Sequence, residues 1–138
     1  MIRAAGWVLW TTLLATVPLA RASALDTPAH PVDPAEDAAL RKVIADYGRA
    51  IETKDIVAFK ALKPNLTPEE ERRTRTAFDT VKSQVVKITV LSVEVTGSDA
   101  VVRVSRRDTI NASLVSSFPQ TFRLAHKAGS WVIQEIGK

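Results

Sequence analysis

The closing stretch of the chain, Phe118 to Gly137, reads F-P-Q-T-F-R-L-A-H-K-A-G-S-W-V-I-Q-E-I-G and decides the fold. Two runs of alternating apolar and polar residues flank Ala128 and Gly129, and glycine tolerates the positive φ angle that a tight hairpin tip needs. This pattern predicts a β-hairpin with one largely apolar face, which other elements must cover. The expected cross-strand pairs are His126 with Trp131, Leu124 with Ile133, and Phe122 with Glu135.

The apolar period is already two from Val86 onward, which indicates strands ahead of the hairpin. The apolar residues change phase between Val90 and Leu91, and such a shift predicts a β-bulge or bend. The predicted elements are a strand over 87–96, a turn at 97–99, a strand over 100–110 and a loop at 111–117.

Helices are predicted for the chain before the strands. Asp33-Pro34-Ala35-Glu36 offers an N-cap acceptor, a proline at the first helical position and a glutamate that can reach back to the cap amide. The first helix should end near Thr53. Its apolar stripe falls at helical spacing: Leu40, Val43, Ile44, Tyr47 and Ile51.

A short second helix is expected over 56–62, and Thr67-Pro68-Glu69-Glu70 repeats the capping box to begin a third. The predicted apolar side of the third helix is Ala77, Phe78, Val81 and Val85. Helices followed by a meander of strands indicate the α+β class, with three N-terminal helices packed on one face of a curved antiparallel sheet of about four strands.

The N-terminus has the features of an export signal. Arg3 precedes an uncharged apolar run over 4–20, and Ala22-Ser23-Ala24 supplies small residues where a signal peptidase reads the chain. The sequence therefore predicts a cleaved signal peptide at 1–24, a flexible leader at 25–34 and one domain at 35–138. The alternative is an uncleaved membrane anchor, since the apolar run is close to the minimum length of a span. The sequence therefore predicts export, to the periplasm or outside the cell.

Charge and cysteine content exclude several classes of function. Loss of residues 1–24 removes Arg3 and Arg21, which leaves 17 basic and 15 acidic residues, a net charge of +2. That balance does not call for nucleic acid as a partner, and contact with a membrane is expected only transiently, through the signal peptide. The chain has no cysteine, which excludes disulfides, thiol catalysis and thiolate metal sites. No cofactor and no metal are predicted.

The order of elements, the Gly129-x-Trp131-x-Ile133 ending and the segment Y-G-R-A-I-E-T-K-D over 47–55 resemble the nuclear transport factor 2-like superfamily. That superfamily includes ketosteroid isomerases, SnoaL-like cyclases and exported bacterial domains, and the resemblance covers Ala35 to Gly137. It implies a cone-shaped cavity between helices and sheet, with the hydroxyl of Tyr47 inside. Catalytic members carry a general base near a hairpin between the second and third helices, whereas residues 61–68 here contain no carboxylate or histidine. This departure counts against isomerase chemistry.

The candidate ligand-binding residues of the cavity are Tyr47, Phe78, Arg106, Phe122, His126 and Trp131; no catalytic or metal-ligating residue is assigned. Arg106, Asp108 and His126 share the strand phase of the core, where unpaired polar groups are costly. They either line a solvated pocket mouth or pair with other groups at a strand end. A simple hairpin register places Asp108 and His126 at opposite ends of the strands, so they do not make an acid-base pair.

Three functions compete. The first is an exported non-catalytic domain that binds a small apolar ligand or a protein partner through the helix-sheet cavity. The second is an isomerase, dehydratase or cyclase that uses Tyr47 with Asp108 or His126. The third is a homodimerisation module that uses the outer sheet face. The basic residues expected on that face are Arg103, Arg107, Arg123 and Lys127, with Lys87 nearby.

Overall fold

The computed structural model describes residues 31–138. The predicted signal peptide, residues 1–24, and residues 25–30 of the predicted leader lie outside the described residues. Three helices precede one antiparallel sheet whose strands are ordered β1-β2-β3-β4, which confirms the predicted α+β class. The elements are α1 Pro34–Glu52, α2 Ile56–Leu62, α3 Pro68–Thr80, β1 Gln84–Thr96, β2 Asp99–Ile110, β3 Leu114–Lys127 and β4 Ser130–Gly137.

Both predicted helix starts are present, though only one is a complete capping box. At α3 the Glu70 amide donates to the Thr67 hydroxyl at 3.2 Å, and the Thr67 amide donates to the Glu70 carboxylate at 2.8 Å. At α1 the Asp33 carboxylate accepts from the Ala35 amide at 2.7 Å. No hydrogen bond from the Asp33 amide to Glu36 accompanies it among the described residues, so the second half of that predicted box is wrong.

The apolar stripe of α1 packs against the inner face of the sheet. Leu40 and Ile44 are almost fully buried, and Gly48 lets the helix approach β1 closely. A Cβ atom at Gly48 would lie 3.3 Å from Cδ1 of Ile88 and 3.7 Å from Cγ1 of Val86. The core therefore sits between α1 and the concave face of β1 to β4. None of the helices described is both long and apolar enough to cross a membrane.

The sheet has two bulges, one of which the sequence predicts. Val90 pairs with Val104 and Ser92 with Arg103, so Leu91 is the extra residue expected from the phase shift. The second bulge lies in the closing hairpin. Pairs His126 with Trp131 and Leu124 with Ile133 are as predicted, but Phe122 pairs with Ile136 rather than Glu135.

The reason for this correction is that Gln134 is an extra residue on β4. It restores Ile136 to the inner face, where Ile136 packs against the core cluster, and leaves Glu135 exposed on the outer face.

Two boundaries differ from prediction because strand pairing overrides local sequence preference. The predicted loop 111–117 is confined to 111–113, and β3 begins at Leu114, opposite Ile110. Likewise α3 ends at Thr80, and β1 begins at Gln84 rather than at residue 87. Val85 therefore belongs to the exposed face of β1, and Phe78 is the one buried residue on α3.

Candidate functional site

A buried ion pair lies in the cone between α1 and the sheet. Arg106 donates to both carboxylate oxygens of Asp108, from Nε to Oδ1 at 2.7 Å and from Nη2 to Oδ2 at 2.7 Å. Side chains alternate between the two faces along β2, so both point to the concave face. Only 9% of the Arg106 side-chain surface and 6% of that of Asp108 are exposed to solvent. The structure thus favours structural pairing over a solvated pocket mouth.

The ion pair is part of a larger polar network. Nη1 of Arg106 donates to the Tyr47 hydroxyl at 3.1 Å and lies 3.5 Å from Oε1 of Gln120. Nε2 of Gln84 donates to Asp108 Oδ2 at 2.8 Å. No fully buried side-chain nitrogen or oxygen among residues 31–138 lacks a partner. The network is complete without a ligand.

Aromatic faces surround the guanidinium of Arg106. Its carbon lies 5.2 Å from the ring centre of Phe118 and 5.7 Å from that of Tyr47. Burial by itself lowers the pKa of Arg106, but hydrogen bonds and charge from Asp108 and Tyr47 outweigh it and raise the pKa above its ordinary value. Arg106 therefore stays protonated and holds Asp108 as its counter-ion.

Three of the predicted cavity residues pack ring against ring. The ring centre of Tyr47 lies 5.0 Å from that of Phe122, in an edge-to-face arrangement, and 5.7 Å from that of Phe59. The ring centres of Phe59 and Phe78 are 6.3 Å apart. Phe122 is fully buried. These contacts make Tyr47, Phe78 and Phe122 parts of a continuous aromatic core, with Arg106 at its polar end.

The other two predicted cavity residues lie elsewhere in the fold. His126 is exposed and meets Trp131 edge-on at 5.1 Å near the hairpin tip. His126 is four positions from Phe122 along β3, roughly 13 Å at strand spacing. Asp108 pairs with Ser116 and Asp99 with Ala125, so Asp108 and His126 do occupy opposite ends of the strands, as predicted.

A groove of about 430 Å³ runs between α1, α2 and β4, with Trp131 in its wall. Sequence reasoning missed it. The signal was the presence of alanines at 50, 58 and 61 on the two helices, which leaves the space open. Its buried or half-buried apolar lining is Ala50, Ala58, Leu62, Trp131 and Val132, and its charged residues are Asp46, Arg49 and Asp55.

A second depression, of about 390 Å³, lies on the other side of Trp131. The start of α1 and the hairpin tip form its walls, with Val43, Lys42 and His126 among the lining residues. Trp131 therefore separates two grooves, although only 7% of its own surface is exposed. No group of three or more histidine, aspartate or glutamate side chains in the described part of the chain is placed to hold a metal.

The outer face of the sheet carries the predicted basic residues. Arg103 pairs with Glu94 at 3.3 Å and Arg123 with Glu135 at 3.8 Å, and all four side chains are largely exposed. The remaining three are also exposed: Lys87, Arg107 and Lys127.

Comparison of sequences finds no matching family model and no curated protein that matches. Comparison of structures finds many similar chains. A nuclear transport factor 2-like protein of unknown function from Pseudomonas putida KT2440 has a TM-score of 0.69 and 13% identity, over 77% of this chain and 87% of that one. A proposed dehydratase of the same family from Streptomyces avermitilis has a TM-score of 0.64 and 12% identity, over 75% and 95% of the two chains.

A protein of unknown function with a cystatin-like fold, from Nostoc punctiforme PCC 73102, has a TM-score of 0.67 and 10% identity, over 78% of this chain and 92% of that one. Identities this low carry information about the fold and not about the activity. The helices, the meander of four strands and these neighbours together show that the chain has the nuclear transport factor 2-like fold.

Proposed function

We propose that the protein is an exported, non-catalytic domain that binds a small apolar ligand in the groove beside Trp131. The groove itself carries this proposal. Its volume of about 430 Å³ is in the range of small-molecule sites, and an apolar lining with a few charged residues at its edge is typical of them. It lies at the boundary of helices and sheet, and Trp131 is the one predicted cavity residue in its lining.

The state of Asp108 argues against catalysis. Asp108 is the only buried carboxylate in residues 31–138, and both of its oxygens are already bonded to Arg106, with Gln84 on one of them. A general base must be within hydrogen-bond reach of a substrate proton. Asp108 would first have to leave Arg106, which would then be a buried charge without its counter-ion.

Fluorescence and thermal unfolding test the proposal directly. Trp7 and Trp10 lie in the predicted signal peptide, so Trp131 is the one tryptophan of the processed chain. We expect lauric acid, a neutral steroid or naphthol to change Trp131 emission and to raise the unfolding temperature. At about 100 times Kd, a ligand of the folded state adds about 2.7 kcal/mol.

A matched pair of variants locates the binding site. Ala61→Phe fills the groove from α2 and should abolish binding, whereas Ala77→Phe, on an exposed position of α3, should leave it unchanged. The proposal fails if none of the three probes changes emission or unfolding temperature. It also fails if Ala61→Phe binds as well as the unmodified chain.

An acid-base enzyme is the second candidate, and one observation favours it. The Tyr47 hydroxyl lies 3.1 Å from the Arg106 guanidinium, a donor arrangement that can stabilise negative charge on a substrate oxygen. The fold neighbour proposed to be a dehydratase is consistent with such chemistry. Binding that is lost with Tyr47→Phe but kept with Ala61→Phe would favour the enzyme over the groove.

A further inference from the structure

The first half of β3 has an open edge. β4 pairs with β3 only from Thr121 to Lys127, so residues 114–120 have β2 on one side and no described strand on the other. Residues 114–117 are all exposed, and Leu114 and Val115 keep 63% and 49% of their surface. An exposed apolar strand with unpaired backbone groups is a template for another strand.

Pro119 shows which backbone groups point to that edge. Proline has no N–H, and a sheet accepts it where the missing N–H would face solvent rather than a neighbouring strand. Directions alternate along a strand, so Val115 and Ser117 also direct their N–H and C=O groups to the open edge. Leu114, Ser116 and Phe118 direct theirs to β2.

We infer that this edge pairs with the same edge of a second copy of the chain. Antiparallel pairing about a two-fold axis at Ser116 sets Val115 opposite the partner's Ser117, and Leu114 opposite the partner's Phe118. The two Val115-Ser117 pairs then form about four backbone hydrogen bonds. Ser116 faces the partner's Ser116 on the axis, and the two sheets become one.

Charge and register favour a second copy over an unrelated strand. The segment from Leu114 to Phe118 contains no charged residue, so two copies do not repel each other at the contact. The register is self-complementary, as a two-fold interface requires. It also leaves Pro119 outside the hydrogen-bonded pairs, because the residue opposite Pro119 would be the partner's Ser113, which precedes the strand.

The size of the contact sets its strength. A short strand pair buries less than the roughly 1,200 Å² of a specific stable interface, so the dimer is weak and reversible. Its apparent mass should rise with concentration between about 10 µM and about 1 mM. The site is separate from the groove beside Trp131, so Ala61→Phe should dimerise like the unmodified chain.

Cysteine crosslinking tests the axis. The chain has no cysteine, so Ser116→Cys introduces one thiol per copy. Residues that lie directly opposite each other in a non-hydrogen-bonded antiparallel pair, as the two Ser116 residues would, have Cα atoms about 4.5 Å apart, which a disulfide can span. We expect the exported protein carrying Ser116→Cys to form a covalent dimer under mild oxidation, and Ser98→Cys, at the exposed turn between β1 and β2, to stay monomeric.

Proline substitution tests the hydrogen bonds. Ser117→Pro removes an outward N–H and should weaken association roughly tenfold or more in sedimentation equilibrium, while Ser117→Ala should not. Ser116→Cys combined with Ser117→Pro should lose its crosslink.

Three results would overturn the inference: a monomer at every concentration, equal crosslinking of Ser116→Cys and Ser98→Cys, or crosslinking that survives Ser117→Pro. Unfolding of Ser117→Pro would show that this N–H points to β2, which contradicts the geometry as well.

Discussion

Replacing Asp108 by alanine leaves the Arg106 guanidinium buried without its counter-ion. The substitution removes two hydrogen bonds from Arg106 and one from Gln84, at a position with only 6% of its side chain exposed. Removal of one partner of a buried pair typically costs about 3–5 kcal/mol. Arg106 keeps Tyr47 as an acceptor, so we expect the lower half of that range.

The assay is urea unfolding followed by far-ultraviolet circular dichroism. If the protein is unfolded by heat instead, a loss of about 3 kcal/mol in the free energy of unfolding corresponds to a fall in unfolding temperature of roughly 10 °C or more for a domain of this size. As a surface control, Arg103→Ala breaks a pair whose side chains are 53% and 61% exposed, and should change stability by less than about 1 kcal/mol. Arg106→Met with Asp108→Leu should be close to the unmodified protein, because an apolar pair needs no counter-ion.

The sign of the pH effect follows from the raised pKa of Arg106. A cation whose folded-state pKa lies above its unfolded value contributes stability that is lost only as the pH rises through the folded value. The folded-state pKa lies above the pH range of ordinary assays, so the guanidinium contributes equally at every pH in that range. The reasoning is refuted if Asp108→Ala costs less than about 1 kcal/mol, or if the apolar double variant is as unstable as Asp108→Ala.

Three further predictions concern the helices. Thr67→Ala should cost about 1 kcal/mol by removing the N-cap acceptor of α3. The hydrogen bond from the Thr67 amide, and then the charge of Lys63, lower the pKa of Glu70 below its ordinary value of 4.5. Ionised Glu70 therefore stabilises the folded protein fully above pH 4.5, and this stabilisation is lost as the pH falls through the folded-state pKa. The unfolding temperature of Glu70→Gln should consequently fall less steeply in acid than that of the unmodified protein. Gly48→Val should cost about 1–3 kcal/mol in urea unfolding, since its methyl groups meet Ile88; a neutral result would mean that α1 can move off β1.

Local sequence signals were sufficient for most of the fold. The capping box at Thr67 and the phase shift at Leu91 each involve a few adjacent residues, and both predictions were right. The bulge at Gln134 was missed although it leaves a phase shift too: Ile133 and Ile136 lie three positions apart, and a regular strand would place both on the inner face only at an even spacing. The length of β3 was also missed, since Ser116 and Ser117 resemble a loop until β2 is beside them.

The candidate site was harder to predict because it depends on distances across the fold. Arg106 and Asp108 were recognised as core-facing, but their bidentate pairing depends on the side-chain orientations on β2. The groove beside Trp131 depends on the spacing of α1, α2 and β4, and small side chains such as Ala58 and Ala61 indicate a gap only once their neighbours are known. The aromatic residues predicted to line a cavity, Tyr47, Phe78 and Phe122, are therefore core residues, and Trp131 is the one that borders the groove.

The buried ion pair and the open edge belong to the same hairpin. Arg106 pairs with Phe118 and Asp108 with Ser116 across β2 and β3, in the part of the sheet that β4 does not reach. On the other side of β2, β1 continues the sheet, with Ile88 opposite Arg106 and Val86 opposite Asp108. The hydrogen bond from Arg106 to Tyr47 joins this hairpin to α1. The buried network therefore has a structural role: through Gln84 and Tyr47 it ties the strand beside the open edge of β3 to β1 and to α1.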